Sequence, residues 1–87
     1  MNVETTVQVW EEDGQFVAHA MPLDVMSCGS TLEAARAAVD EAVRAFLATA
    51  KETGTLDAIL EECGYRQQDR GWIGPAFVAF ERHAVVF

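Results

Sequence analysis

The side chains that could do chemistry in this 87-residue chain are carboxylates, two histidines and two cysteines. A magnesium-dependent nuclease needs three or four carboxylates that converge from the centres of strands. Glu4 and Glu81 are the only acids inside segments with a strand pattern. The spacing therefore predicts no catalytic residues, no metal or cofactor site and no enzyme, and we interpret the acids of the turns as solvated charges.

The histidines and cysteines are widely separated. His19 and His83 would form a metal or acid–base pair only if the last strand lies beside the second, and otherwise each is a polar surface group. Cys28 precedes the predicted start of a helix, a position at which thiols can become reactive. Because no His is near it, we interpret Cys28 and Cys63 as buried thiols in a reducing compartment, without a disulfide.

The charge distribution points to a protein partner. Fourteen acids against six bases give a net charge of −8, and no Lys or Arg precedes Arg36. Such a surface repels phosphate and attracts a basic protein, so we expect no direct nucleic-acid binding. The alternative is that the acidity only keeps a small protein in solution.

Tryptophan beside acidic residues is typical of a contact surface, because Trp is enriched at interface hot spots. Both Trp side chains have an alternative role, which is to complete the core of a small domain. The candidate partner-binding residues are Trp10, Glu11, Glu12, Asp13, Asp24 and Trp72.

The element that must position these residues is an amphipathic helix within Gly29–Ala50, where apolar residues recur at steps of three and four. Ser30 and Glu33 have the spacing of a capping box at its start. Gly54 suits the left-handed residue that follows its last turn. The apolar stripe predicts a sheet packed against it.

Two strands precede the helix. Alternation over Val3–Val9 predicts a half-buried strand, and Asp13-Gly14 predicts a hairpin with a loop of two or four residues, leading to a strand over Gln15–Met21. Either loop length gives the same pairing of faces. The predicted helix side carries Val7, Val9, Phe16, Ala18 and Ala20, and the other side carries Gln8, Trp10, Val17, His19 and Met21.

The rest of the single domain, residues 1–87, has weaker signals. Leu23–Cys28 is a third strand or an irregular crossing, Leu56–Cys63 is a short second helix, and Tyr65–Gly71 is a polar loop. Ala76–Phe87 has the composition of a strand that is apolar on both sides, broken near its charged centre. We expect an α+β fold, with a three- to four-stranded, mainly antiparallel sheet and the long helix on one face. Candidate self-association residues are Val17, Met21, Phe80 and Val85.

The order of motifs in the first half resembles HicB-type antitoxins over roughly residues 3–50. The motifs are an acidic Asp-Gly turn, Phe-Val-Ala, a proline, and Gly-Ser-Thr-Leu-Glu opening an Ala-rich helix, at Glu12–Gly14, Phe16–Ala18, Pro22 and Gly29–Glu33. The chain departs from the family pattern at two places. The family's Pro-Asp-Leu-Pro-Gly-Cys connection is here Pro-Leu-Asp-Val-Met-Ser-Cys, and the acid usual after Glu33 is Ala34.

The resemblance implies a β-β-β-α-β module like a partial ribonuclease H fold without its catalytic acids. It implies a protein that binds and blocks a small basic HicA-like toxin that cleaves messenger RNA. The alternative is an orphan homodimeric HicB-like scaffold or regulatory module with no toxin partner. We expect no DNA-binding domain of the kind that many family members carry after the module. The start, MNVETT, lacks the features of a signal peptide, and no apolar run approaches the ~20 residues of a membrane span, so we expect a cytoplasmic protein.

Overall fold

The computed structural model describes residues 2–87 and has the predicted α+β fold. Within that range the chain forms two three-stranded sheets and two helices. In chain order the elements are β1 (Asn2–Val3), β2 (Thr6–Glu12), β3 (Gln15–Met21), β4 (Val25–Gly29), α1 (Leu32–Glu52), α2 (Leu56–Glu62), β5 (Arg66–Gln68) and β6 (Gly71–Ile73).

The larger sheet is antiparallel, with strand order β2-β3-β4. Asp13 and Gly14 form the two-residue loop of the β2–β3 hairpin, with φ values of 52° and 79°. Positive φ at both positions matches a type I′ turn, whose twist suits a hairpin. The loop sets the predicted register, in which Val9 lies opposite Ala18 and Trp10 lies opposite Val17.

The connection after β3 resolves the alternatives left open for Leu23–Cys28. Asp24, at φ 61°, completes a tight turn, and β4 then pairs antiparallel with β3. Met26 therefore lies opposite His19, and Cys28 lies opposite Val17.

The core lies between this sheet and α1. Ala18 and Ala20 on β3 are fully buried, as are Ala35 and Val39 on α1. Small side chains on both elements let the helix approach the sheet closely. The helix lies mainly across β4 and β3 and contacts β2 least. The buried cluster comprises Ala18, Ala20, Leu23, Ala35, Val39, Val43, Ala50, Leu56, Leu60, Tyr65 and Trp72.

The start of α1 differs by one residue from the prediction. Thr31 is the N-cap, and its hydroxyl accepts a hydrogen bond from the backbone N–H of Ala34 at 3.0 Å. The capping box predicted for Ser30 and Glu33 was wrong, because β4 continues to Gly29 and Ser30 serves as the bend between strand and helix. The predicted end at Thr53-Gly54 is confirmed, with Gly54 at φ 76°.

The smaller sheet has the order β1-β6-β5, with β1 parallel to β6. The strand predicted over Val3–Val9 is thus divided, because Val3 pairs with Trp72 of β6 whereas Thr6 pairs with Met21 of β3. The loop predicted over Tyr65–Gly71 is also wrong. Most of that segment forms a hairpin, in which backbone pairing stabilises polar residues that carry little strand signal.

Tyr65 connects two segments that are far apart in the sequence. Its hydroxyl donates to the backbone carbonyl of Glu4, between β1 and β2. Burial raises the pKa of Tyr65 to about 12, with smaller contributions from the negative charges of Cys63 and Glu4. The folded state therefore strongly favours the neutral phenol that makes this hydrogen bond.

The strand predicted over Ala76–Phe87 is not formed. Residues 74–87, which we name the C-terminal segment, contain no strand or helix, and their large apolar side chains are exposed. Pro75 has no N–H to offer a ladder, and β6 is already paired on both sides by β1 and β5. A strand-like composition supplies the propensity to pair but not a neighbour to pair with.

Neither helix of residues 2–87 is long and apolar enough to cross a bilayer.

Candidate protein-binding face

The side of the larger sheet that faces away from α1 carries a cluster of aromatic, sulfur-containing and apolar side chains. We name it the outer face. Strand alternation and the observed pairings place on it Gln8, Trp10, Val17, His19, Met21, Met26 and Cys28. Four of the candidate contact residues are exposed acids at the turns that flank this face, although Glu11 lies opposite Phe16 and therefore on the helix side of the sheet. We name them the acidic rim: Glu11, Glu12, Asp13 and Asp24.

Trp10 lies near the hairpin end of β2 and is 37% exposed. Its ring meets the imidazole of His19 edge to face, with centroids 6.4 Å apart and planes at 68°. This contact orients a large amphipathic ring without covering it. Met26, across the sheet on β4, is 54% exposed. The outer face thus presents an apolar centre that no described element covers.

Both ring nitrogens of His19 have partners. Nε2 donates to Asp24 Oδ1 at 2.6 Å, and Nδ1 accepts from the side-chain amide of Gln8 at 3.0 Å. The same amide reaches Met21 Sδ at 3.7 Å. An imidazole that uses both nitrogens in this way has none free to act as a general base. The network holds the outer face in place rather than providing acid–base chemistry.

The pairing considered for His19 and His83 depended on a last strand that is not formed. His83 lies in the C-terminal segment and hydrogen-bonds Glu81, with Nε2 to Oε1 at 2.9 Å. Each histidine thus has its own acidic partner. Among residues 2–87, no three His, Cys, Asp or Glu side chains come together as a metal site would require.

The cysteines are both free thiols, but they are not both buried. Cys63 is half-buried beside the core, whereas Cys28 is exposed. The interpretation of Cys28 as a buried thiol was wrong. The side chains of β4 alternate between the two faces of the sheet, and because Ser27 and Gly29 face the helix, Cys28 faces outward.

The remaining predicted site residues lie in three places: the core, the outer face and the C-terminal segment. Trp72 is 3% exposed in β6, so it completes the core, which was the alternative left open for it. Val17 and Met21 are half-buried on the outer face. Phe80 and Val85 are exposed in the C-terminal segment, away from any ladder.

Sequence reasoning did not include Gln8, Met26 or Cys28 among the site residues. Gln8 is recognisable only through its bond to His19, since a polar residue on an exposed strand side carries no signal of its own. Met26 and Cys28 would follow from period-two alternation once β4 is known to start at Val25.

Comparisons of the chain with models of protein families, with curated proteins and with solved structures found no match. The resemblance to HicB-type antitoxins therefore stays a prediction from the motifs themselves.

Proposed function

We propose that this chain is a cytoplasmic antitoxin-like binding protein that neutralises a small, basic, HicA-like ribonuclease by covering its active site. The protein contributes a surface and no catalysis. The observation that carries the proposal is the placement of Trp10, an exposed aromatic anchor, next to the acidic rim.

The geometry fits the anatomy of a protein interface. Interfaces commonly have a central apolar or aromatic anchor surrounded by polar groups that exclude water. Here Trp10 and Met26 supply the exposed apolar part, and Glu12 and Asp24 lie on the same side of the sheet. Both carboxylates are exposed, so they remain available to a cationic partner.

Charge favours a basic partner over other ligands. With a net charge of −8, the chain attracts cationic proteins at a distance and repels polyanions. Complementary charge acts mainly on the rate of association, whereas an anchor that becomes buried in the complex acts mainly on the rate of dissociation. The acidic rim and Trp10 would therefore make separable contributions to binding. A basic ribonuclease uses cationic groups to bind RNA, and the same groups would meet the acidic rim.

A second candidate function is an orphan homodimeric scaffold or regulatory module. The exposed apolar side chains of the C-terminal segment favour self-association, independently of any toxin.

The test is a tagged capture from the native host, with partner masses read by mass spectrometry and the mass of the complex by light scattering. A small basic protein in a fixed ratio, whose cleavage of messenger RNA stops when this chain is added, is the expected result. A homodimer with no basic partner would overturn the antitoxin proposal and favour the scaffold.

A further inference from the structure

The C-terminal segment is apolar and unpaired. Its sequence after Pro75 is AFVAFERHAVVF, rich in the aromatic and β-branched residues that favour strands. Phe77 and Phe80 contact each other, with ring centroids 6.1 Å apart, and none of the strand pairings formed by residues 2–87 includes the segment. The exposed large side chains are Phe77, Val78, Phe80, Val85, Val86 and Phe87.

The free edge of β2 is a matching unpaired feature. β2 is the edge strand of the larger sheet, since its neighbour on one side is β3 and the described chain places no strand on the other. An open edge presents a row of backbone donors and acceptors to any extended segment. Thr6–Glu12, seven residues, is long enough to pair with half of the 14-residue C-terminal segment.

A groove runs beside this edge because α1 leans toward β4. A cleft of about 410 Å³ between β2 and α1 is lined by Val7, Val9, Leu32, Arg36 and Asp40. Val7 points to the helix side of the sheet but is still 36% exposed. A second cleft of about 510 Å³ shares Asp40 and extends past Val43 and Leu47 to the start of the chain.

The groove is not filled by the chain's own tail. Neither cleft includes a residue of the C-terminal segment in its lining. The segment instead begins at a separate cleft of about 340 Å³, which Gly74, Pro75 and Phe77 line together with Glu4, Thr5, Thr6, Met21 and Pro22. The segment therefore starts beside Thr6, the first residue of β2, but enters neither of the two clefts along the groove.

We propose that the C-terminal segment of a second copy of this chain adds as a strand to the free edge of β2, and that the exchange is reciprocal. Main-chain hydrogen bonds would extend the larger sheet of each copy, and alternate side chains would fill the groove against Val7 and Val9. The addition lies in the plane of the sheet, so the outer face stays open. The inference does not rest on the antitoxin proposal.

The surface area that such an exchange would bury supports a second copy as the occupant of the groove. A buried aromatic side chain removes on the order of 150–250 Å² from water. Phe80, Phe87 and the exposed valines of two exchanged segments can together reach the roughly 1,200–2,000 Å² of a specific interface.

Charge separates this occupant from a basic partner. Three of the chain's six bases, Arg36, Arg44 and Lys51, line the two clefts, against the single acid Asp40. A groove with this balance disfavours a cationic protein and accepts an apolar segment whose central charges, Glu81 and Arg82, cancel.

The test combines light scattering with isotope-filtered NMR on an equal mixture of labelled and unlabelled full-length chains. The expected mass is twice that of the 9.5 kDa chain, with contacts between copies from Phe80 to Val7 and Val9. A monomer, a dimer in which the two segments contact each other instead, or contacts only within one copy would each overturn the proposal.

Two variants make the test specific. Phe80→Lys changes a side chain outside the core and leaves the fold intact, and Val7→Lys places a charge in the groove. Each is expected to raise the dimer dissociation constant by about tenfold or more. Met26→Lys, an equivalent change on β4 at the opposite edge of the sheet, is the control and is expected to leave it unchanged. Equal weakening by Met26→Lys would overturn the assignment of the β2 edge.

Discussion

Asp24 accepts a hydrogen bond from His19 across the turn that joins β3 to β4, with Oδ1 2.6 Å from Nε2. The backbone of Asp24 is left-handed, at φ 61°, a conformation that Asp tolerates better than most residues. One residue thus shapes the turn, orients the imidazole beneath Trp10 and contributes a carboxylate to the acidic rim.

Replacing Asp24 should separate its backbone role from its side-chain role. Asp24→Ala loses the acceptor and adds backbone strain, and we expect a loss of about 1–2 kcal/mol in the free energy of unfolding. Asp24→Gly loses the acceptor without the strain and should lose less. Urea denaturation measures both, and an Ala variant as stable as the wild type would contradict the geometry of the turn.

The N-cap of α1 gives a second prediction. Thr31→Ala removes the acceptor for the N–H of Ala34 and should cost about 1 kcal/mol. Ser30→Ala is the matched control, because the exposed Ser30 only forms the bend before the helix, and its stability should be unchanged. If Ser30→Ala were the more destabilising of the two, the helix would begin one residue earlier than the structure has it.

Gly29 gives a third prediction because β4 meets α1 there without room for a side chain. A Cβ on Gly29 would lie 2.6 Å from the backbone N of Ala35 and 2.8 Å from the backbone C of Ala34. Both neighbours are backbone atoms of a packed helix, so Gly29→Ala must displace the helix start, at a cost of about 1–3 kcal/mol. Thermal unfolding of Gly29→Ala tests this, and an unchanged midpoint would contradict the close approach.

Tyr65 predicts a loss of stability at alkaline pH. Its pKa is about 12 in the folded chain against an ordinary value of 10.0, so the unfolded chain loses the phenol proton first. The stabilisation that the neutral Tyr65 phenol gives the folded state is complete below pH 10 and is lost as pH rises through about 12.

Tyr65→Phe isolates this effect from the other groups that titrate there. The variant should be about 1 kcal/mol less stable at pH 7, because it lacks the donor to the Glu4 carbonyl. The difference from the wild type should narrow between pH 10 and 12 in chemical denaturation. A constant difference across that range would show that the hydroxyl is not held as described.

Reversing the charge of Glu11 and Glu12 tests the acidic rim. Lysine at both positions should weaken binding of the basic partner by several kcal/mol, mainly by slowing association at low salt. Glu61 and Glu62 on α2 offer a matched control, since their reversal changes the net charge equally at a site remote in sequence. Equal effects of the two double variants would place binding elsewhere.

Local patterns predicted the first half of the fold well. Asp13-Gly14 correctly predicted the hairpin. The alternation of apolar and polar residues correctly predicted which side chains of β2 and β3 face the helix, because one buried face fixes a strand's register. The periodic stripe gave α1. The cap was missed by one residue, since the length of β4 decided which hydroxyl was free to cap.

The second half depends on long-range pairing that local patterns do not encode. β5 consists of Arg66–Gln68, which no propensity scale favours as a strand, and it forms because β6 pairs with it and β1 pairs with β6. Ala76–Phe87 shows the reverse, with strong strand propensity and no strand partner among residues 2–87. Of the candidate site, Trp10 and the acids follow from composition, whereas the Gln8–His19–Asp24 network required coordinates.

The neutralising function is tested by measuring messenger RNA cleavage by the captured small basic protein while this chain is added in increasing amounts. We predict that cleavage stops at a fixed molar ratio and resumes when Trp10→Ala replaces the wild type, because the variant lacks the anchor. Cleavage that continues at saturating wild-type chain would contradict the neutralising function.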